Sequence, residues 1–138
     1  MISFKLSRPG SSATILAATS VLVLSSMSLA AVAQDAENGE SLFRQCRACH
    51  KIGPGAASSP VGPQLNGIVG RKAASVSGFN YSTASKQAAA KGLVWTEENL
   101  MKYLENPRAF MPGTRMAYAG LRDADQRRDL IAYLKKFK

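Results

Sequence analysis

The residues with the clearest chemical potential in this chain lie together in one pentapeptide, Cys46-Arg47-Ala48-Cys49-His50. Two thiols three residues apart fall on one face of a helical turn, where they can reach the two vinyl groups of one porphyrin. The histidine that follows can ligate the porphyrin iron. The spacing C-x-x-C-H is typical of covalent haem attachment. The sequence therefore predicts one haem c bound through Cys46 and Cys49, with His50 as an axial metal ligand.

Other roles of a C-x-x-C pair agree less well with the rest of the sequence. A redox dithiol is expected beside a βαβ pattern, and none occurs near residue 46. Structural zinc needs four nitrogen or sulfur ligands, whereas the whole chain has two cysteines and one histidine. A disulfide would leave the adjacent histidine unexplained. The motif favours haem, with a dithiol or a disulfide as the remaining alternatives.

The first 33 residues have the pattern of an export signal. Lys5 and Arg8 form a positive start, an apolar stretch with Ser and Thr follows, and Ala31-Val32-Ala33 supplies the small residues of a cleavage site. No charge occurs between Arg8 and Asp35, so an uncleaved membrane anchor is the alternative. We expect a signal peptide over residues 1–33, a folded domain over residues 34–138, and a periplasmic protein.

The chain is strongly basic. It carries 18 Lys and Arg against 9 Asp and Glu, for a formal net charge of +9. Removal of residues 1–33 takes away two of the positive charges and leaves +7. A surplus of this size favours acidic partners or anionic surfaces. Nucleic acid is not expected, because no nucleic-acid-binding motif accompanies the charge and export would separate the protein from it.

Polar caps and apolar spacing predict four helices and no strand. They start near Asp35, Ser82, Thr96 and Asp123, and they end near Cys46, Lys91, Asn106 and Phe137. Glycine at position 39, inside the first helix, lowers helix stability by about 1 kcal/mol relative to alanine unless close packing offsets the loss. We therefore expect the last helix to cross the first one at Gly39. The predicted fold class is all-α with long loops.

A segment rich in Gly, Pro, Ser and Ala separates the first helix from the second. Residues 51–78 keep neither a helical nor a strand period, and so long a loop is unusual in a small domain. A haem would explain it, because the loop can wrap the porphyrin and gain apolar surface from it. We therefore expect the haem-free chain to be poorly folded.

The second axial ligand of the iron cannot be a histidine, since the only one is already assigned. The candidates are methionine, lysine, water or an external ligand. Met101 lies on a predicted helix, where core packing is its expected role. Met111 and Met116 flank the turn-forming Pro112-Gly113-Thr114. Spacing alone does not choose between these two methionines.

Several segments in the same order resemble class I c-type cytochromes, the family of cytochrome c2 and mitochondrial cytochrome c, over residues 37–137. Besides the pentapeptide, they are Gly62-Pro63-Gln64-Leu65-Asn66-Gly67, Arg71, Gly78-Phe79-Asn80-Tyr81, Trp95, Tyr103-Leu104-Glu105-Asn106-Pro107, Pro112-Gly113-Thr114-Arg115-Met116 and Asp129-Leu130-Ile131-Ala132-Tyr133-Leu134. The resemblance implies a small cytochrome c fold, with three main helices, a short one, and long loops wrapped round a covalent haem.

The resemblance also implies the surroundings of the iron. Met116 occupies the position of the family's axial thioether, while Met111 occupies an ordinary apolar position. The backbone carbonyl of Pro63 is expected to accept a hydrogen bond from the His50 ring, which orients a metal-bound histidine. Tyr103 is expected close to the Met116 sulfur.

Four further residues are expected to contact the haem propionates. The resemblance places Tyr81 and Trp95 at an inner propionate, Arg71 beside it as a positive charge, and Thr114 near the other propionate. The alternative for Trp95 and Tyr103 is a plain role as core aromatics. Two positions depart from the family pattern: Tyr118 stands where many relatives have phenylalanine, and Gln45 where mitochondrial relatives often have lysine.

The function implied by the resemblance is one-electron transfer rather than enzymatic catalysis. An iron held by His50 and Met116 has no vacant position for a substrate. The expected partners are acidic docking faces of membrane redox complexes, namely a bc1-type complex, a terminal oxidase or a photosynthetic reaction centre, approached by a monomer. The rival is a ligand-binding or peroxidase-type haem enzyme with an open iron.

Overall fold

The structure, a computed structural model, describes Ser3 and residues 34–138, and within them the chain is helical. Apart from Ser3, the predicted signal peptide lies outside the described residues. The helices are α1 (Ala36–Phe43), α2 (Thr83–Ala90), α3 (Glu97–Glu105), α4 (Pro107–Phe110) and α5 (Ala124–Lys135), with a 3-10 turn at Arg44–Cys46 after α1. Between Lys72 and Val94 lies an isolated β-bridge, and residues 34–138 contain no β-strand. The predicted all-α class is confirmed.

Polar side chains fix the start of each of the four predicted helices. The Asp35 carboxylate accepts from the backbone N–H groups of Glu37 and Asn38 at the start of α1. Ser82, Thr96 and Asp123 cap α2, α3 and α5 in the same way. Each cap satisfies backbone donors that have no partner within the helix.

The short helix α4 was not predicted. Asn106 and Pro107 end α3, as expected, but the same two residues also begin a new turn. The Asn106 side chain accepts a hydrogen bond from the Ala109 N–H, and Pro107 takes the first helical position, where its missing N–H costs nothing. The stop signal of one helix is therefore the start signal of the next.

Helices α1 and α5 cross in close contact at Gly39. A Cβ atom added there would lie 2.8 Å from the Tyr133 Cβ and even closer to the Asp129 carbonyl, so only glycine fits without movement. The buried Asp129 carboxylate joins the two helices, because it accepts from the Asp35 N–H and from the Asn38 amide, both at 2.7 Å. These two hydrogen bonds lower the pKa of Asp129. The expected helix crossing is confirmed.

The hydrophobic core lies between α1, α3 and α5, with one contribution from the long loop. Its fully buried members are Phe43, Leu130 and Ile131, and Ile68 reaches them from the loop. The loop is held by side chains: the Asn66 amide bonds both the N–H and the carbonyl of Gly53, at 2.8 and 2.9 Å. Among Ser3 and residues 34–138, no helix is long and apolar enough to cross a membrane.

Candidate haem site

A cavity of about 720 Å³ opens between the long loop, α3, α5 and the segment that precedes α5. This volume is within the range of about 300–1,000 Å³ that small-molecule and cofactor sites occupy. All ten predicted site residues line it, and they are Cys46, Cys49, His50, Pro63, Arg71, Tyr81, Trp95, Tyr103, Thr114 and Met116. Residues from opposite ends of the domain thus meet around one space.

The two cysteines reach the cavity wall through the turn that follows α1. The backbone N–H groups of Cys49 and His50 both donate to the Cys46 carbonyl, at 3.1 and 2.9 Å, which closes the turn on itself. Both cysteines are free thiols. Burial, with a smaller effect of the neighbouring Cys49, raises the pKa of Cys46 to about 11. The Cys46 sulfur is therefore a neutral thiol at an apolar wall.

A neutral thiol at this position disfavours the alternatives to haem. Reactive redox cysteines have a lowered pKa, the opposite of what burial does to Cys46. Within the described part of the chain, no group of three or more His, Cys, Asp and Glu side chains gathers to hold a metal ion. The thiols are placed to react with an apolar ligand edge that lies in the cavity.

The His50 ring is oriented by the long loop. Its Nδ1 donates to the Pro63 carbonyl at 2.8 Å, so Nε2 carries no proton and is the nitrogen left for a metal. Burial lowers the pKa of His50, the Arg71 charge lowers it further, and the bond to Pro63 opposes both. The ring is therefore neutral, as a metal ligand must be.

Gly62 makes room for this ring. A Cβ atom built on Gly62 would lie 2.9 Å from both Nδ1 and Cε1 of His50 and 2.5 Å from the Cys49 carbonyl oxygen. A backbone that runs this close to the imidazole can carry no side chain. In the sequence, Gly62 is only one residue of a segment that resembles the family. The structure gives the reason for a glycine at this position.

Met116 belongs to a second cluster in the lining. The Tyr103 hydroxyl lies 3.5 Å from the Met116 sulfur and 3.2 Å from Thr114 Oγ1, which also accepts from the Met116 N–H at 3.3 Å. Burial raises the pKa of Tyr103, so its hydroxyl stays protonated and able to donate. One hydroxyl therefore contacts the thioether directly, and Thr114 holds both that hydroxyl and the Met116 backbone.

The other two methionines of the domain do not line the cavity. Met111 is 5% exposed, and its sulfur accepts a hydrogen bond from the Ser85 hydroxyl at 3.5 Å. Met101 packs against the hydrophobic core from α3. Of the methionines in residues 34–138, Met116 alone presents its side chain to the cavity.

The polar part of the lining is held by the backbone of the loop. Arg71 donates to the carbonyls of Asn66 and Gln64, at 2.7 and 3.0 Å, which fixes its guanidinium at the cavity. The Tyr81 hydroxyl accepts from the Val76 N–H at 3.2 Å. The Trp95 and Tyr103 rings pack with their centroids 4.8 Å apart. The positive charge of Arg71 and the hydrogen-bonding groups of Tyr81 and Trp95 thus line the same cavity.

Much of the apolar lining was not predicted as part of the site. Four leucines line the cavity and also belong to the core, and they are Leu100 and Leu104 of α3 and Leu130 and Leu134 of α5. Phe79 lines the cavity as well. The apolar spacing of the two helices predicted buried faces. It gave no sign that these faces would contact a cofactor as well as each other.

The lining fits a covalent haem. Two thiols and a neutral imidazole lie along one part of it, apolar side chains form the walls, and a thioether and an arginine complete it. Gly62 leaves the imidazole a space that any larger residue would fill. Fold and site together define a small helical haem protein.

Comparison with known proteins gives the family. The cytochrome c family model matches residues 36–138. The chain is 47% identical over 117 residues to cytochrome c2 of Blastochloris viridis, covering 85% of this chain and 89% of that protein. It is 52% identical over 99 residues to cytochrome c-550 of Ancylobacter novellus, covering 72% and 92%. The solved structure of cytochrome c2 from Rhodospirillum Centenum superposes with a TM-score of 0.71 at 39% identity, covering 75% of this chain and 98% of that one.

The chain belongs to the cytochrome c family. It is an electron-carrying cytochrome with one haem c attached through Cys46 and Cys49. The resemblance inferred from the motifs is confirmed, and with it the small cytochrome c fold.

The space beside His50 can be tested by substitution. In Gly62→Ala the new methyl group must push the imidazole away from Pro63 or bend the loop, so we expect the holoprotein to lose about 1–3 kcal/mol of unfolding free energy. Its ferric spectrum should also gain a high-spin fraction. Urea unfolding and absorption spectra measure both. The control is Ala57→Ser, an exposed position of the same loop that does not line the cavity, which should change stability by less than about 0.5 kcal/mol. Equal effects of the two substitutions would contradict this role of Gly62.

Proposed function

We propose that this chain is a soluble one-electron carrier whose haem iron is ligated by His50 and Met116. The observation that carries the proposal is the position of Met116, which lines the cavity and whose sulfur accepts a hydrogen bond from Tyr103. Met111 is the rival in the sequence, but its sulfur is buried away from the cavity and bonded to Ser85. With both axial positions occupied, no substrate can reach the iron.

Haem c supplies a one-electron iron couple, and neutral His and Met ligands favour its reduced form and raise its potential. The protein's part is to hold both ligands in place. The Pro63 carbonyl keeps the His50 proton on Nδ1, and the Tyr103 hydroxyl and Thr114 position the thioether. Ligands that are held in this way need to move little when the iron changes between its ferric and ferrous states.

We further propose that the polar lining receives the propionates. Arg71 supplies a positive charge, and Tyr81 and Trp95 supply hydrogen-bond donors in the same cavity. Thr114 also lines the cavity, and we propose that it lies near the other propionate. The carbonyls that hold Arg71 keep its charge at the cavity instead of letting it turn to solvent.

The partners we propose are membrane redox complexes with acidic docking faces, such as a bc1-type complex, a terminal oxidase or a photosynthetic reaction centre. Lys72 and Arg115 line the cavity at its rim, and Arg44 and Arg47 are exposed on the turn that carries the cysteines. Positive charge around the opening would steer acidic surfaces to it, and a transient monomeric encounter needs only a small interface.

This steering predicts a strong salt dependence. The bimolecular rate of electron transfer to an acidic redox partner should fall by about tenfold or more as ionic strength rises from 0.01 to 0.15 M, because the Debye length shrinks from about 30 to 8 Å. Stopped-flow absorption measures it. The fall should be smaller when Lys72→Gln and Arg115→Gln are combined. A rate that stays flat over this range would contradict the proposed steering.

We also propose that residues 1–33 direct export to the periplasm and are removed after Ala33, because they combine a positive start, an apolar stretch and an Ala-Val-Ala ending. Mass spectrometry of protein from the source cells should find a mature chain that begins at Gln34. A chain that keeps residues 1–33 would instead support the membrane anchor.

The ligand assignment is tested by two substitutions. Met116→Ala should abolish the weak far-red sulfur-to-iron band of the ferric protein, lower the potential, and let the ferrous protein bind carbon monoxide rapidly near neutral pH. Met111→Ala should cost about 2–5 kcal/mol of stability through lost packing and leave the band in place. Absorption spectra and potentiometry measure these effects. Retention of the band in Met116→Ala, or equal effects of both changes, would overturn the assignment.

A further inference from the structure

The segment that carries Met116 has little backbone support. At its two ends, the Thr114 N–H donates to the Met111 carbonyl at 3.0 Å and the Leu121 N–H donates to the Leu104 carbonyl at 2.7 Å. Between them, residues 115–120 make no backbone–backbone hydrogen bond to any residue that the structure describes. Side-chain contacts must therefore hold the segment across the cavity.

The two sides of Met116 are held unequally. On the N-terminal side, Thr114 Oγ1 lies 3.2 Å from the Tyr103 hydroxyl, and the Arg115 guanidinium donates to the Asn80 carbonyl at 2.7 Å. On the C-terminal side, from Ala117 to Gly120, one hydrogen bond is present within residues 34–138. It joins the Tyr118 hydroxyl to Gln45 Oε1 at 3.1 Å.

This hydrogen bond connects two distant parts of the sequence at the cavity. Gln45 lies in the 3-10 turn that ends at Cys46, and Tyr118 lies two residues after Met116. Both residues line the cavity. The bond therefore ties the segment of one proposed iron ligand to the turn that carries the attached cysteine. The bond needs the chemistry of both residues, because phenylalanine at 118 would lack the donor and lysine at 45 would lack the acceptor.

We propose that the Tyr118–Gln45 pair is a clasp that keeps Met116 on the iron and sets how readily its sulfur leaves. The inference rests on the proposed His50/Met116 ligation. When the sulfur dissociates, it keeps its electron pair, and an external base such as imidazole can donate its own pair to the ferric iron. No electron is transferred in this exchange. Tyr118 and Gln45 act through the segment, and so they are positioning residues.

The test measures ligand exchange in the ferric holoprotein. At saturating imidazole, the observed rate equals the rate at which the Met116 sulfur dissociates, and it is followed by loss of the sulfur-to-iron band. Tyr118→Phe removes the donor, and Gln45→Leu removes the acceptor while it keeps an extended side chain of similar bulk. Each should raise the rate roughly two- to tenfold, as expected for the loss of one partly exposed hydrogen bond.

The double variant and a control give the test its specificity. Tyr118→Phe combined with Gln45→Leu should exchange no faster than either single variant, because the two substitutions remove the same bond. The control is Tyr133→Phe, which removes a hydroxyl from a buried tyrosine of α5 that does not line the cavity. It should leave the rate unchanged.

The outcomes separate the clasp from the ligand assignment. A wild-type ferric protein without the sulfur-to-iron band would overturn the ligation by Met116, and the clasp would fall with it. If the band is present in the wild type, an unchanged rate in Tyr118→Phe would overturn the clasp alone. Additive rate increases in the double variant would overturn it as well, since the residues would then act independently.

Discussion

The helices of this protein enclose a cavity of about 720 Å³ beside the core that α1, α3 and α5 share, and the rest of the structure depends on what fills the cavity. The same side chains of α3 and α5, among them Leu104 and Leu130, form both the core and the cavity wall. Apolar burial is the main driving force of folding, so a space of this size in a small domain is a large share of the available core. The covalent haem supplies that share, and it is the constraint behind the long loop and the short helices.

The geometry of the site follows from attaching the cofactor at one place. The cysteines and His50 are adjacent in sequence and so approach the haem from one segment, while the second iron ligand that we propose comes from elsewhere. Met116 arrives on a stretch without regular structure, held by contacts from Tyr103, Asn80 and Gln45. His50 is held by a backbone carbonyl and by the absence of a side chain at Gly62. Of the two iron ligands that we propose, His50 is fixed by the fold of a loop and Met116 by side chains.

Sequence predicted the parts of the structure that depend on local chemistry. The caps at Asp35, Ser82, Thr96 and Asp123 gave the helix starts, and the cost of glycine within a helix gave the crossing at Gly39. Helix α4 was not predicted, because the pair Asn106 and Pro107 is typical of the end of a helix. In the structure the same pair also begins the next helix.

Sequence could not predict the parts that depend on three-dimensional placement. Spacing left Met111 and Met116 equal, because both flank the same turn, and only the fold shows which one faces the cavity. The contacts of Arg71 with loop carbonyls and of Tyr118 with Gln45 join residues whose proximity no local pattern reveals. Family resemblance added seven lining residues to the three of the pentapeptide, and the structure adds the contacts that hold them.

The central claim is that the haem completes the core, and the most direct measurement is the structure of the chain without it. A haem-free chain, made as Cys46→Ala with Cys49→Ala, would be compared with the holoprotein by far-ultraviolet circular dichroism and amide hydrogen exchange. The account predicts that most of the helical signal is lost and that slow exchange disappears from α1, α3 and α5. A haem-free chain that keeps native helicity and unfolds cooperatively in urea would contradict it.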